Sequence, residues 1–310
     1  MTDLPAQPTL HVVVVNYRTA GMTRDTIEHL QASGIHDREL VIWLVDNGSR
    51  DDSPQQLQAA FPGIRHITSQ HNLGFAGGNN LALAEIASHD NDGDRHNTLV
   101  LLLNSDVQVE PDAVQQCVTF MDQHPEAGVV GPRVLLPDGS LDLACRRGFP
   151  TPVNAFWKLS GLAKRFPDNP RFAGYNLTYL PEDQTAEVDS VGGAFMLVRL
   201  AAIDEVGLLD DRFFMYGEDL DWSYRIKAAG WRIWYYPEAR VVHLKSASAR
   251  RQSRRMIYEF YRAMWLFHAK HYAQRTPVLI NGLVMIGIVM RGIAALVLNG
   301  FRSTERKRFA

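Results

Sequence analysis

Three carboxylates fall within four positions in the stretch Tyr216-Gly217-Glu218-Asp219-Leu220-Asp221-Trp222. Acid–base chemistry on a substrate needs a carboxylate held in place beside apolar walls that tune it. A helical pattern follows, with Leu220, Tyr224 and Ile226 apolar and Gly230 closing it. Glu218 and Asp219 then fall in the first helical turn, where the macrodipole favours negative charge. That preference explains one or two acids at a helix start, but less well three acids between Tyr216 and Trp222. Asp106 is a second candidate. It follows an apolar run and is flanked by Asn104 and Ser105. A carboxylate there can bind a hard cation that in turn holds phosphates, or it can cap a turn ahead of Pro111. Asp46 suits hydrogen bonds to a nucleobase or ribose, although Asp46-Asn47-Gly48 is also a common turn sequence. His243 ends an apolar stretch just before Lys245. Taken alone, such a histidine is more often structural than a ligand.

These residues need a scaffold, and the hydrophobic pattern supplies one. Apolar runs at Leu10–Val15, Leu40–Val45, Ile64–Thr68 and Thr98–Leu103 predict strands. Helical spacing at Met22–Ala32, Ser53–Ala60, Gly77–Ala87 and Pro111–Asp122 falls between and after them. Strand–helix alternation with continuous apolar strands predicts an α/β fold with a mostly parallel central sheet and helices on both faces. In such sheets ligands bind beyond the carboxyl ends of the strands. The polar clusters Asn16-Tyr17, Asp46-Asn47, Asn72 and Asp106 all fall there. Beyond Asp122 the pattern changes. Gly128–Val134, Leu141–Cys145, Val188–Val198 (with a bulge or a close backbone approach at Gly192-Gly193), Trp231–Tyr236 and Arg240–His243 read as strands, and Arg146–Glu187 as a long irregular lid or acceptor loop. Arg254–Tyr272 reads as an aromatic-rich helix.

The 310 residues carry a net charge of −2, which excludes a global basic field for nucleic acid. Cys117 and Cys145 make neither a disulfide framework nor a zinc motif, so a reducing compartment is expected. Residues 1–10 lack the basic start and apolar core of a secretory signal. G-x-G-x-x-G after the first strand, a P-loop and G-x-S-x-G are all absent. Val278–Leu298 is 21 mostly apolar residues broken by Asn281 and Arg291. Its length fits a span, but the late arginine argues against a simple one. Cations on both sides, including Arg302–Arg308, favour a helix lying in the interface. A helix packed on the domain is the third reading.

Five motifs in order resemble a known family. They are Val45-Asp46-Asn47-Gly48-Ser49, then Asn72-Leu73-Gly74-Phe75-Ala76-Gly77-Gly78-Asn79-Asn80, then Leu102-Leu103-Asn104-Ser105-Asp106, then Gly192-Gly193-Ala194-Phe195, and last Phe214-Met215-Tyr216-Gly217-Glu218-Asp219-Leu220-Asp221-Trp222. From Thr9 to Ser248 the chain resembles the family 2 inverting glycosyltransferases with the GT-A fold. It is most similar to the rhamnosyltransferase-like branch that builds bacterial cell-surface polysaccharides. The resemblance implies a GT-A domain over residues 1–248, with a nucleotide-sugar half (1–107) and an acceptor half (108–248), and a helical, membrane-seeking extension over 249–310. It implies that Asn16, Tyr17 and Asp46 line the nucleoside pocket, with Asn72, Gly74, Asn104 and Ser105 also on the donor side. Asp106 matches the last acid of a D-x-D metal motif, and His243 a histidine that helps hold the metal, Mg²⁺ or Mn²⁺. Asp219 matches the base. Asn104 replaces the first acid of D-x-D, leaving one fewer negative charge for the metal.

The expected reaction moves a sugar from a nucleotide-diphosphate donor, dTDP-L-rhamnose first and a UDP-hexose next, to a glycan or polyprenyl-diphosphate-linked acceptor. Asp219 takes the acceptor's proton. Glu218, Asp221, Trp222 and Gly193 are expected on the acceptor side, with Trp222 stacking on a sugar ring. Lys245, Arg250 or Arg251 are expected to help neutralise the leaving diphosphate. The expected location is cytoplasmic, peripheral on the inner face of the cell membrane. The rival readings are a catalytically silent carbohydrate- or nucleotide-binding module and a sugar nucleotidyltransferase. Intact Asp106, Asp219 and His243 argue against the first. The second lacks its Gly-rich basic phosphate loop.

Overall fold

Residues 8–89, 95–245 and 254–301 are described by a computed structural model of the chain. The first part alternates strand and helix through β1 (Thr9–Asn16), α1 (Ala20–Ala32), β2 (Glu39–Asp46), α2 (Ser53–Ala60), β3 (Arg65–Thr68), α3 (Gly74–His89) and β4 (Leu99–Asn104). The strands lie in the order β3-β2-β1-β4, all parallel. Val12, Val13 and Val14 are successive residues and all fully buried, as are Leu99, Val100 and Leu101. Neighbouring residues point to opposite faces of a sheet, so both faces are covered.

The second part adds β5 (Val107–Val109), α4 (Ala113–Gln123), β6 (Ala127–Leu135), α5 (Pro152–Leu159), α6 (Leu162–Arg165), α7 (Pro170–Ala173), β7 (Ala186–Glu187), β8 (Phe195–Arg199), α8 (Leu200–Val206), α9 (Glu218–Ala228) and β9 (Arg232–His243). β8 runs antiparallel to β4 and extends the same sheet through β6, β9 and β5. β6 and β9 are parallel, while β5 and β7 pair antiparallel with β9. The result is one nine-stranded sheet. Two helices close the described chain, α10 (Arg254–His271) and α11 (Val278–Phe301).

The departures from expectation have local causes. Gly192-Gly193 does not bulge within a strand but lies just before β8, where a Cβ at Gly192 would stand 2.8 Å from Ala144 O, which is the close backbone approach expected as the alternative. Leu141–Cys145 is not a strand. Leu141 makes an isolated bridge to Leu135, and Leu143–Cys145 forms a 3₁₀ turn because the Asp142 carboxylate accepts from the Ala144 N–H. The two strands expected over 231–243 are one, β9, with a register shift against β6 opposite Pro132 and Arg133. The irregular region expected over 146–187 contains three short helices, α5 to α7. α3 starts at Gly74, so the glycine-rich motif is helical rather than a loop before a helix.

Candidate active site

The strand ends β1 and β2 build a closed polar network. The Asn16 amide donates to Asp46 Oδ1 (2.8 Å), and the Thr23 hydroxyl donates to Asn16 Oδ1 (2.9 Å). Ser49 N–H donates to Asp46 Oδ2 (3.0 Å). Asn16 is fully buried with its amide and oxygen both bonded within the protein, so it braces the ends of β1 and β2 and is not free to meet a nucleoside as expected. Asp46 is buried beside it, and Tyr17 is half-buried under the Arg18 guanidinium. The Asn72 side chain accepts from Gly74 N–H (2.8 Å). Asn47 was not singled out from sequence. Its amide donates to Gly74 O (2.8 Å) and its oxygen accepts from Leu73 N–H (2.9 Å), which fastens the β2 loop to the start of α3.

Gly74 ties this half to the acidic helix. A Cβ at Gly74 would stand 2.0 Å from Phe214 O, and Phe75 N–H donates to that same oxygen (2.7 Å). The backbone then reaches α9 through Tyr216 and Gly217, both left-handed at φ 71° and 81°. A left-handed non-glycine costs roughly 1 kcal/mol, a strain typical of functional turns.

Asp106 follows β4 and meets His243 at the end of β9. The pairing of Val107 with His243 and the Leu244 N–H donated to Asp106 O (2.9 Å) set this register. His243 Nε2 lies 3.3 Å from Asp106 Oδ1, and its Nδ1 lies 3.3 Å from Asp142 Oδ2. Lys245 Nζ donates to Asp142 Oδ1 (3.0 Å). Burial alone would lower the His243 pKa, but hydrogen bonds and charges from Asp106 and Asp142 outweigh it and raise it to about 9. Burial likewise opposes ionisation of Asp142, yet His243 and Lys245 hold its pKa below the usual carboxylate range. Asp106 and His243 could hold a cation between them. No group of three or more His, Cys, Asp or Glu suited to a metal occurs among the described residues.

The three acids of the opening motif divide. Asp219 accepts from Arg147 Nη2 (2.6 Å) and Gly193 N–H (3.1 Å) on Oδ2, and from Leu220 N–H (2.8 Å) on Oδ1. A carboxylate offers about four acceptor sites. Three are taken, and the side chain keeps 13% of its surface exposed. Glu218 is buried, with Oε2 unpartnered. Burial and the neighbouring Asp219 charge push its pKa up to about 8, so it is neutral at pH 7. Asp221 is fully buried in a cluster with Arg225 (2.9 Å), Lys270 (2.7 Å) and His271 (2.7 Å), which docks α10 onto α9. Trp222 is fully buried too, and its Nε1–H donates to Gly207 O (2.9 Å). Neither can meet an acceptor sugar without unpacking α9, which corrects the expectation for both. Gly193 reaches the site through its N–H to Asp219.

The β4–β8 pairing brings the two ends together. Asn104 N–H donates to Ala194 O (2.9 Å), two residues before Asp106 and one after Gly193. Residues 7–261 match the model of the family described as glycosyltransferase like family 2. The chain is a family 2 glycosyltransferase. The transferase is 29% identical over 282 residues to an N-acetylglucosaminyl-diphospho-decaprenol L-rhamnosyltransferase of Mycobacterium tuberculosis, covering 88% of this chain and 86% of the relative. Its fold resembles S. aureus TarS 1–349 (TM-score 0.55, 15% identity, covering 94% of this chain and 74% of that one). It also resembles GalNAc-T7 with UDP, GalNAc and Mn²⁺ (TM-score 0.54, 14% identity, covering 77% and 44%). The fold is GT-A.

Arg147 and Asp142, which contact Asp219 and His243, were not picked out by sequence reasoning. Asp142 lies in Leu141–Cys145, read as a strand, and Arg147 in the irregular Arg146–Glu187, and their partners are far along the chain. For Arg147 the signal available was a pair of arginines in an otherwise uncharged segment, Cys145-Arg146-Arg147-Gly148-Phe149. Arg250, Arg251 and the tail cations 302–308 lie outside the described residues.

Proposed function

We propose that the transferase moves L-rhamnose, or another hexose, from a nucleotide-diphosphate donor to a polyprenyl-diphosphate-linked glycan with inversion at the anomeric carbon. The observation that carries this reading is Asp219, whose one open acceptor site is set by Arg147 and Gly193 at the strand end that also bears Asp106. Likeness to a rhamnosyltransferase named for a decaprenol-linked acceptor supports the donor and acceptor classes.

In this reading Asp219 removes the acceptor hydroxyl proton as that oxygen attacks the anomeric carbon. The bond from the anomeric carbon to the diphosphate oxygen breaks, and the nucleoside diphosphate departs. Arg147 and the Gly193 N–H hold the carboxylate in one orientation while it does so. Burial and the Asp219 charge favour the protonated form of Glu218, which leaves Asp219 as the ionised carboxylate of the pair. Asp106, with His243 once its Nε2 proton is displaced, would be the residues to hold a divalent cation. When bound, the cation neutralises charge on the leaving diphosphate. Tyr17 and Asp46 form the nucleoside end of the pocket. The apolar helix α11 keeps the protein on the cytoplasmic face of the membrane, where a lipid-linked acceptor is met.

The test is incubation with dTDP-L-rhamnose or UDP-hexoses, a polyprenyl-diphosphate-linked acceptor and Mg²⁺ or Mn²⁺. Release of nucleoside diphosphate with an inverted linkage, read by NMR, is expected. Retained configuration would overturn the single displacement, and pyrophosphate release would point to a nucleotidyltransferase.

A further inference from the structure

The segment 149–175 leaves the site through a closed neck. Gly148 N–H donates to Tyr175 O (2.9 Å), and a Cβ at Gly148 would stand 2.0 Å from Gly174 O. Arg147, which holds Asp219, is the residue just before this neck. Inside the excursion α5 starts at a Thr151 cap and Pro152, yet none of its residues is buried. Val153 and Phe156 are 59% and 58% exposed, and Leu159 and Phe166 also stand largely in solvent. Residues 153, 156 and 159 recur at i and i+3 spacing, so they share one face of the helix. An exposed, contiguous apolar patch of this kind marks an interaction surface.

What surrounds the patch identifies its partner. Lys164 and Arg165 are exposed in α6, and Arg171 is exposed at α7. None of them forms an ion pair with a carboxylate among the described residues, and Asp168 is the one acid between Pro150 and Gly174. The Arg165 guanidinium rests over the Phe166 ring, so a cation and an apolar ring are presented together. Unpaired cations rimming exposed aromatic and aliphatic side chains match an anionic bilayer surface. The rings enter the headgroup and acyl boundary, and the cations meet lipid phosphates.

We infer that α5 and α6 form a second membrane contact, separate from α11, that seats the neck next to Arg147, the residue bonded to Asp219, on an anionic lipid surface. This inference does not depend on which sugar or acceptor the transferase uses, because vesicle binding is read without substrate.

The experiment uses the full chain with an environment-sensitive dye on Phe156→Cys, and on Gln58→Cys in exposed α2 as control. Cys117 and Cys145 are buried and stay unlabelled. With vesicles containing anionic lipid, the dye at 156 should shift to the blue and brighten, with no change at 58. Vesicles of zwitterionic lipid alone should give a much smaller response. Lys164→Glu with Arg165→Glu should weaken the response at 156 by on the order of tenfold or more in lipid concentration. Thermal melts of each variant verify that these surface changes leave the fold intact. A dye at 156 that stays in a water-like environment while the chain binds vesicles through α11 would overturn the inference and leave the patch to a protein partner. Failure of the full chain to bind anionic vesicles, or equal responses on both lipids, would overturn it as well.

Discussion

Asp219, Glu218 and Asp221 have the same chemistry in sequence and three different environments in the fold. Asp219 is ion-paired yet keeps an open acceptor site, Glu218 is neutral, and Asp221 is spent on docking α10. Asp219→Asn keeps the shape and removes the proton acceptor. Turnover should fall by about 10²–10⁴-fold, while donor binding measured by calorimetry stays near wild type. Near-normal turnover would move the base elsewhere. Glu218 makes a separate prediction about stability. In the unfolded chain it ionises near 4.5, and in the folded chain only near 8. Between those values the unfolded state binds fewer protons, so Glu218 lowers stability as pH rises through that window and no further above it. Glu218→Gln never ionises. Its melting temperature should exceed that of wild type by a margin that grows from pH 4.5 to pH 8. A margin that is constant across the window would mean that the carboxyl titrates normally.

At the scale of elements, the junction between α3 and the loop before α9 decides whether the donor side and the acidic helix stay in register. Gly74 lies at φ 76° with its missing Cβ against a backbone carbonyl, which cannot swing aside as a side chain could. Gly74→Ala should cost about 2 kcal/mol or more in stability and lower turnover by displacing Phe75 from Phe214 O. Gly63→Ala, with nothing within 4 Å, is the control. Equal melting temperatures for the two variants would show the junction to be plastic. The parallel half of the sheet was legible because each strand is a continuous apolar run with its polar cluster at the carboxyl end, and α2 begins and ends where Ser53, Pro54 and Ala60 place it. The acceptor half was less so. Gly192-Gly193 looks like a strand interior in sequence, but a bend before β8 serves to aim the Gly193 N–H at Asp219. Trp222 beside two acids looks like a sugar platform. Helical periodicity places it on the buried face of α9, a fact visible only once α9 has a sheet to cover. Arg147 and Asp142 owe their roles to partners some 70 and 100 residues away, which no local pattern encodes.

The most apolar element of the molecule turns two of its polar residues inward and leaves Arg291 exposed. Along α11, Asn281 bonds His268 (2.7 Å), Gly292 packs against the Tyr261 ring, and Asn299 is buried, so these three positions lie on the packed side of the helix. Leu279, Leu283, Ile286, Met290 and Ile293 face outward, each more than half exposed. Water-facing helices of soluble domains have the opposite arrangement. Helix length and a mean hydropathy of 2.0 suit a lipid environment, and packing on α10 holds the helix against the domain. This combination favours the helix lying in the interface over one leaving the domain to span. Deleting α11 would also strip His268 of Asn281, so its effect would mix folding with binding. Leu283→Glu with Ile286→Glu changes only the outward face. Most of the protein should then move from the membrane to the soluble fraction, with its circular dichroism unchanged. If the partition does not change, α11 is not the anchor, and membrane attachment must rest on other surfaces such as α5 and α6.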